Sequence, residues 1–283
     1  MTTQPALLPT VAALRAQTRL WRSAGESIAL VPTMGALHAG HISLVEQAKT
    51  RAKRVVATIF VNPTQFAPTE DFAKYPRTLE ADIAKLAAAG ADAAFTPTPD
   101  EIYPEGFCTT ITLRGPAVAD LEDRFRPTHF QGVATVVAKL LLQAMPDVAI
   151  FGEKDFQQLA VIRQMTADLN IPVEIVGAPT MREADGLAMS SRNVYLSEEE
   201  RAVAPMLHRC MSKAAQRIRD GEALEAALAP ARSKIIAAGF EIDYLEVRDA
   251  TTLATVQGRY RKGLRMLIAA RLGRTRLIDN IEV

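Results

Sequence analysis

The sequence predicts an α/β fold, in which a doubly wound (Rossmann-like) parallel sheet is followed by a smaller C-terminal α+β domain. From residue 27 to about residue 176, short apolar runs alternate with helical patterns, as in sheets with helices on both faces. After about residue 185, helical stretches come first and strand-like runs follow. A chain of 283 residues is long enough for two domains, which we place at residues 1–184 and 185–283.

The elements of the first domain are predicted from apolar runs and from the turn residues that separate them. Residues 27–31 predict a buried strand, and a turn with proline and glycine leads into a helix over about 40–53. Further strands are predicted at 54–61, 91–96, 148–151 and 173–176, and further helices at 78–89 and 156–170. Another helix starts near residue 133, and its apolar residues fall on one face: Val133, Val136, Val137, Leu140, Leu141 and Ala144.

The second domain is predicted to begin with helices. Ser197 precedes three glutamates, and a serine followed three residues later by Glu200 is a capping-box pattern. Two helices are expected from there, ending at Gly221 and Gly239. Strands are expected at 241–247, 264–270 and 275–281.

Composition excludes several functional classes. A formal net charge of +1 with scattered basic residues argues against a nucleic-acid surface. Cys108 and Cys210 lie in unrelated contexts, so neither a disulfide framework nor a zinc cluster is expected, and no metal-ligating set is assigned. The sequence has no secretory leader pattern and no apolar run near the ~18 residues of a membrane span. We expect a soluble, cytoplasmic protein without a membrane partner.

The first chemical motif follows the first predicted strand and reads Pro-Thr-Met-Gly-Ala-Leu-His-Ala-Gly-His, residues 32–41. In an open parallel sheet, ligands bind beyond the carboxyl ends of the strands, where the next helix directs its N-terminus and its free N–H groups. His38 and His41 are three residues apart, so both imidazoles can face one side and donate hydrogen bonds to phosphate oxygens. Gly35 and Gly40 are expected to let the backbone approach a nucleotide.

This segment resembles the HxGH signature of the nucleotidyltransferase superfamily, and the longer string is similar to the form found in pantothenate synthetases. Members of the superfamily form or cleave bonds at the α-phosphorus of ATP. The resemblance implies nucleotide contacts along the whole segment: Met34, Gly35, Ala36, Leu37, His38, Ala39, Gly40 and His41.

The second predicted strand ends in Phe-Val-Asn-Pro-Thr-Gln-Phe, residues 60–66. Asn62 and Gln65 carry amides suited to a small hydroxy acid, although Asn-Pro is also a common opening of an ordinary turn. Residues 70–78 continue the similarity. The resemblance implies that Gln65 contacts pantoate and β-alanine.

Residues 126–132, Arg-Pro-Thr-His-Phe-Gln-Gly, precede the amphipathic helix. Arg126 and His129 are either anion-binding groups or solvated loop residues. The family usually has glycine where Thr128 stands, so the local backbone is expected to differ slightly.

Another strand leads into Phe-Gly-Glu-Lys-Asp-Phe-Gln-Gln, residues 151–158. Lys154 lies at a strand-to-helix turn, where its ammonium can reach nucleotide phosphates. Asp155 is expected either to cap the helix or to bind a ribose or pantoate hydroxyl. The resemblance implies ATP contacts at Gly152, Glu153, Lys154 and Asp155 and pantoate recognition by Gln158. Phe156 replaces the usual tyrosine and removes one hydroxyl.

The last motif, residues 181–193, lies at the predicted domain junction. Residues 189–192 resemble the KMSKS-like loop of the superfamily, although a serine-rich loop on its own is often only a linker. The motif implies nucleotide contacts from Met181, Met189, Ser190, Ser191 and Arg192.

Together these segments imply a ligase that adenylates pantoate with ATP and Mg²⁺ and joins the acyl group to β-alanine; by analogy it is a homodimer. The charge on the phosphates is assigned to six residues: His38, His41, Lys154, Ser190, Ser191 and Arg192. The alternatives are a nucleotidyltransferase acting on another small acid or phosphate and a catalytically silent nucleotide-binding module. The neutral amides of Asn62, Gln65 and Gln158 argue against the first, and the intact cations argue against the second.

Overall fold

The computed structural model describes residues 4–66 and 72–283 of the chain. A six-stranded sheet, entirely parallel, has the order β1-β4-β3-β2-β5-β6. Its strands are β1 (Ala6–Leu8), β2 (Ile28–Thr33), β3 (Arg54–Ile59), β4 (Ala93–Phe95), β5 (Val148–Gly152) and β6 (Glu174–Ala178). Glu70 and Asp71, part of the predicted similarity, lie outside the described residues.

Helices cover both faces of this sheet, as the sequence predicted. They are α1 (Val11–Ser23), α2 (Ala39–Lys49), α3 (Leu79–Ala89), α4 (Pro99–Ile102), α5 (Glu122–Phe125), α6 (His129–Ala144) and α7 (Phe156–Asp168). The apolar faces of α1, α6 and α7 share one core with the sheet, whereas those of α2 and α3 form a second core on its other face. Strand order and two-sided cover confirm the doubly wound prediction.

The first strand and first helix were not predicted from the sequence. β1 is only three residues long and pairs with β4 alone, so its hydrophobic signal is short. The signal for α1 was present: Thr10 accepts a hydrogen bond from the N–H of Ala13 as an N-cap, and Leu14, Thr18 and Trp21 lie buried on one face.

The C-terminal region forms a three-stranded antiparallel sheet with helices against it. Its elements are α8 (Glu198–Val203), α9 (Met206–Arg219), α10 (Leu224–Ala237), β7 (Phe240–Asp249), β8 (Leu264–Leu272) and β9 (Thr275–Glu282). The predicted capping box is present, since Ser197 accepts from the N–H of Glu200 and the Glu200 carboxylate accepts from the N–H of Ser197. The first predicted helix is divided in two, because Pro205 cannot continue α8. The domain boundary at residue 184 stays a prediction.

A buried ion pair joins the C-terminal sheet to α5. Arg276 on β9 donates to both carboxylate oxygens of Glu122 on α5, at 2.8 and 2.9 Å, and also pairs with Asp243. The hydroxyl of Tyr244 donates to Glu122 as well, at 2.8 Å. Although burial opposes its ionisation, the contacts with Arg276 hold the pKa of Glu122 below its ordinary value. The C-terminal sheet is therefore anchored to α5.

Candidate active site

A cleft of about 220 Å³ lies beyond the carboxyl ends of β2, β3 and β5 and is closed on one side by residues 179–192. It collects residues from every predicted segment: Met34, His38, Gly40, His41, Asn62, Gln65, Arg126, His129, Gly152, Lys154, Asp155, Gln158, Met181, Met189, Ser190, Ser191 and Arg192. The parallel strand ends bring these distant segments together.

The two histidines of the first motif form the N-terminal cap of α2. His38 Nδ1 accepts a hydrogen bond from the N–H of Gly40 at 3.1 Å, and His41 Nδ1 accepts from the N–H of His38 at 3.3 Å. Their ring centroids are 4.2 Å apart. Because each Nδ1 accepts from the backbone, we assign the ring proton of each imidazole to Nε2.

Both imidazoles are neutral at pH 7. Burial, reinforced by the positive charges of Lys154 and Lys85, lowers the pKa of His38 to about 4. Burial, the neighbouring His38 and the same lysines lower the pKa of His41 to about 3. The motif therefore offers two neutral N–H donors rather than two cations.

Asp82 on α3 holds the loop before these histidines, and sequence reasoning missed it. Its fully buried carboxylate accepts from the N–H of Ala36 at 2.9 Å and of Leu37 at 2.8 Å. The hydroxyl of Thr78 donates to the same carboxylate at 3.2 Å. Ala36 and Leu37, like Gly35 and Ala39, do not line the cleft. The resemblance had implied nucleotide contacts at all four positions.

The glycines of the loop serve its conformation. Gly35 has φ of +83°, and a Cβ there would lie 3.2 Å from the Asp82 carboxylate. A Cβ at Gly40 would lie 2.9 Å from Cε1 of His38, so the absence of a side chain makes room for the imidazole. The missing side chains at these two positions make room for Asp82 and His38, and the close approach of the backbone to a nucleotide stays a prediction.

Asn62 is hydrogen-bonded to four neighbouring groups at the edge of the cleft. It is 1% exposed; its Oδ1 accepts from the hydroxyls of Thr64 at 3.0 Å and Tyr103 at 2.8 Å. Its Nδ2 donates to Gln65 Oε1 at 3.1 Å and to the carbonyl of Gly132 at 3.3 Å. This arrangement orients the Gln65 amide, and substrate binding by Asn62, which also lines the cleft, stays a prediction.

The side chains of Arg126 and His129 both contact the backbone carbonyl of Gln65. The Arg126 guanidinium and His129 Nδ1 lie 3.3 and 2.9 Å from the Gln65 carbonyl oxygen, and the two side chains lie 3.1 Å apart. Thr128 has φ of −100°, a conformation open to any residue, so the family's usual glycine is not required there.

The side chain of Gln158 differs from those of Asn62, Arg126 and His129 in its hydrogen bonding. It lines the cleft, and its amide has no hydrogen-bond partner in residues 4–66 and 72–283. A half-buried amide of this kind is well suited to binding a ligand hydroxyl or carboxylate.

The turn that carries Lys154 is supported from behind by the C-terminal sheet. Asn280 on β9, 2% exposed, donates from Nδ2 to the carbonyls of Glu153 at 2.9 Å and Lys154 at 2.8 Å. The Glu153 carboxylate pairs with Arg265 at 3.1 Å and does not line the cleft, contrary to the implied nucleotide contact. Arg265 also lies 4.4 Å above the ring of Phe156, the residue that replaces the family's tyrosine.

Lys154 and Asp155 both face the cleft. Their charged groups are 3.9 Å apart, and their side chains are 21% and 47% exposed. Asp155 occupies the N-cap position of α7 but its carboxylate makes no capping hydrogen bond, so that part of the expectation is wrong. The carboxylate is instead oriented to meet solvent or a ligand.

The serine-rich loop closes the opposite wall. Met189 N–H donates to the carbonyl of Met181 at 2.9 Å, and Ser190 Oγ accepts from the N–H of Arg192 at 3.2 Å. Ser191 Oγ lies 3.4 Å from the hydroxyl of Tyr75, a residue 5% exposed. The loop thus has defined contacts, which distinguishes it from a linker.

The comparisons with known proteins agree with this geometry. The family model described as pantoate-beta-alanine ligase matches residues 6–282. The chain belongs to the pantoate–β-alanine ligase family. It is 59% identical to pantothenate synthetase 2 of Bradyrhizobium diazoefficiens, over 100% of both chains. The resemblance inferred from the motifs is therefore confirmed.

Solved structures support the same family assignment. A pantothenate synthetase from Thermus thermophilus is 47% identical, with a TM-score of 0.92 over 98% of this chain and 99% of that one. A pantoate-beta-alanine ligase from Francisella tularensis, described as complexed with beta-gamma ATP and beta-alanine, is 32% identical. Its TM-score is 0.81 over 98% of this chain and 97% of that one. The predicted fold class is confirmed.

Proposed function

We propose that this chain uses ATP to convert pantoate to pantoyl adenylate and then joins the pantoyl group to β-alanine, releasing pyrophosphate and AMP. The observation that carries the proposal is the meeting of Lys154, the HxGH imidazoles and the loop at Arg192 around one cleft. The substrates named for the Francisella relative, ATP and beta-alanine, support the same reaction.

The first step needs no general base, because a simple carboxylic acid is ionised at pH 7. A pantoate carboxylate oxygen attacks the α-phosphorus, and the bond from that phosphorus to the bridging oxygen of the β-phosphate breaks. The electron pair leaves with pyrophosphate. The protein's contribution is to align the reactants and to stabilise charge on the leaving group.

Four kinds of donor perform that electrostatic work. The ammonium of Lys154 and the guanidinium of Arg192 supply positive charge, and the hydroxyls of Ser190 and Ser191 supply neutral hydrogen bonds. His38 and His41 add their Nε2–H groups. Both rings are neutral at pH 7 in the chain without ATP, so they meet the phosphates as neutral hydrogen-bond donors.

The amide groups are assigned to the acid. Gln158, whose amide is without a partner in the part of the chain that the structure describes, binds pantoate directly. Gln65 binds it through the amide that Asn62 orients. Asn62 is then a positioning residue.

Mg²⁺ is included as part of the magnesium–ATP substrate. The described residues contain no group of three or more potential ligands, and the buried Asp82 carboxylate is taken by backbone donors. Among the cleft residues, the Asp155 carboxylate would be able to hold the Mg²⁺ of the substrate. The ion would supply charge neutralisation to the phosphates.

In the second step the neutral amine of β-alanine attacks the acyl carbon of the adenylate, and AMP leaves. The imidazoles are not assigned as its base, because in each ring Nδ1 accepts from the backbone and Nε2 carries the proton.

The proposal also covers the cellular location of the enzyme, its oligomeric state and a lid. No helix in residues 4–66 and 72–283 is long and apolar enough to cross a membrane. We infer a cytoplasmic homodimer on the basis of the family resemblance, with the region from residue 185 acting as a lid over the adenylate. Sedimentation at several protein concentrations tests the dimer.

One assay distinguishes the proposal from its alternatives. Under multiple turnover, AMP formation from ATP is expected to require both pantoate and β-alanine. Continued pyrophosphate release without any amine would favour a nucleotidyltransferase, and absence of turnover with every acid and amine would favour a binding module.

A further inference from the structure

A second cavity, of about 430 Å³, lies between the large sheet and the C-terminal sheet. It is adjacent to the nucleotide cleft and shares five wall residues with it: Arg126, Lys154, Asp155, Ser190 and Arg192. Its remaining walls come from α5, the loop over residues 187–195, α9, β8, β9 and the turn between these two strands. The residues assigned to the phosphates therefore form a wall that the nucleotide cleft and the second cavity share.

This interdomain cavity is strongly cationic. Six cationic side chains line it: Arg126, Lys154, Arg192, Arg271, Arg274 and Arg276. Three carboxylates also line it: Glu122, Asp155 and Asp279. All three are already paired: Glu122 with Arg276, Asp279 with Arg182 at 2.7 Å, and Asp155 with Lys154 at 3.9 Å. The walls consequently carry an excess of positive charge.

Two of the arginines are not neutralised by neighbours. The side chains of Arg271, on β8, and Arg274, in the β8–β9 turn, make no ion pair or hydrogen bond with any residue in 4–66 or 72–283. Both are exposed at the cavity. Thr275 beside them is 3% exposed, and its hydroxyl also has no partner within the same ranges. A small anion with several oxygens would satisfy these donors.

We propose that the interdomain cavity binds inorganic pyrophosphate as it leaves the nucleotide cleft. The inference rests on the proposed function, in which the bond broken in the first step places both electrons on the pyrophosphate oxygen. Lys154 and Arg192 contact both spaces, so the leaving group passes from them towards Arg271 and Arg274. The adenylate remains among the cleft residues.

The test is a double variant of the full chain, Arg271→Ala with Arg274→Ala. We expect the inhibition constant of pyrophosphate in the forward reaction, and its KM in pantoate-dependent exchange into ATP, to rise about tenfold, because two charge-assisted phosphate contacts at a solvent-open site are lost. The KM for ATP is expected to change by less than about twofold. Arg259→Ala, an exposed arginine that does not line the cavity, is the matched control.

Unchanged pyrophosphate constants in the double variant would overturn the proposal. An equal rise in the KM for ATP would also overturn it, since the cavity would then be part of the site of intact ATP. Calorimetric titration of pyrophosphate alone into both proteins separates this inference from the proposed function. If the parent chain lacks pantoate-dependent exchange, the function fails, whereas weaker pyrophosphate binding by the variant still supports the cavity.

Discussion

Replacing Asp82 with Asn tests whether the HxGH loop depends on a carboxylate far away in the sequence. The Asp82 oxygens accept from the N–H groups of Ala36 and Leu37, and Gly35 and Ala36 both have positive φ, at +83° and 50°. Asparagine retains one acceptor oxygen but presents an NH₂ group to the other backbone donor. One buried N–H is then left without an acceptor.

The expected loss follows from these contacts. One charge-assisted hydrogen bond is removed and one buried donor is unsatisfied, which together cost about 3 kcal/mol of unfolding free energy. For a domain of this size that corresponds to a Tm decrease of roughly 6–12 °C. Because the loop carries His38 and His41, we also expect a drop of about 10²-fold in kcat/KM for ATP, typical of a reacting group displaced by about 1 Å.

Scanning calorimetry through the unfolding transition measures the change in stability, and pyrophosphate exchange well below the Tm measures the change in activity. Glu80→Gln is the matched control, since Glu80 lies in the same first turn of α3 but is exposed; its change should stay within about 0.5 kcal/mol. If Asp82→Asn has the stability and exchange rate of the parent, the loop does not depend on the carboxylate. A changed Mg²⁺ requirement with unchanged stability would instead make Asp82 a metal ligand.

Three further predictions concern charge. Lys154→Ala should lower pantoate-dependent pyrophosphate exchange by about 10²–10³, because a cation facing the leaving group is removed; near-normal exchange would contradict the assignment. The pH profile of exchange should show no titration near 6.5 from His38 or His41, since their neutral forms persist down to pKa values of about 4 and 3. The unfolded chain binds these protons at higher pH, so stability should fall as pH decreases from about 6.5 towards those values. Arg276→Met should lower stability by about 3–5 kcal/mol, measured by denaturant unfolding, because the buried Glu122 loses its main partner.

Specific results would contradict the predictions for the two imidazoles and for the Arg276 ion pair. An acid limb near pH 6.5 that disappears in His41→Asn would show that a protonated imidazole is inhibitory and that burial does not hold it neutral. For the ion pair, Arg217→Met is the control, because the Arg217–Glu222 pair is 42% and 31% exposed and should contribute no more than about 1 kcal/mol. Equal losses in both variants would mean that burial adds nothing to the Arg276 contact.

Local patterns in the sequence determined most of the fold. The apolar runs of β2, β3 and β5 and the amphipathic α6 follow from periodicity, and the capping box at Ser197 follows from local hydrogen bonding. The HxGH string, Lys154 and the loop at Arg192 were placed correctly at one sheet edge, because parallel strands end on the same side. The short edge strand β1 and the break at Pro205 were missed, since three residues give little periodicity and the helical pattern continues across the proline.

Only the tertiary structure decided which polar groups are free to act. Asn62 and Gln65 look equivalent in sequence, but packing against Gly132 and Tyr103 saturates the first and leaves the second to be oriented by it. The protonation of the two imidazoles depends on burial and on Lys85, and the support of Lys154 comes from Asn280, a residue of the other sheet. Periodicity specifies which face of an element is buried. It does not specify the partner across that face, and the partner sets both hydrogen bonding and charge.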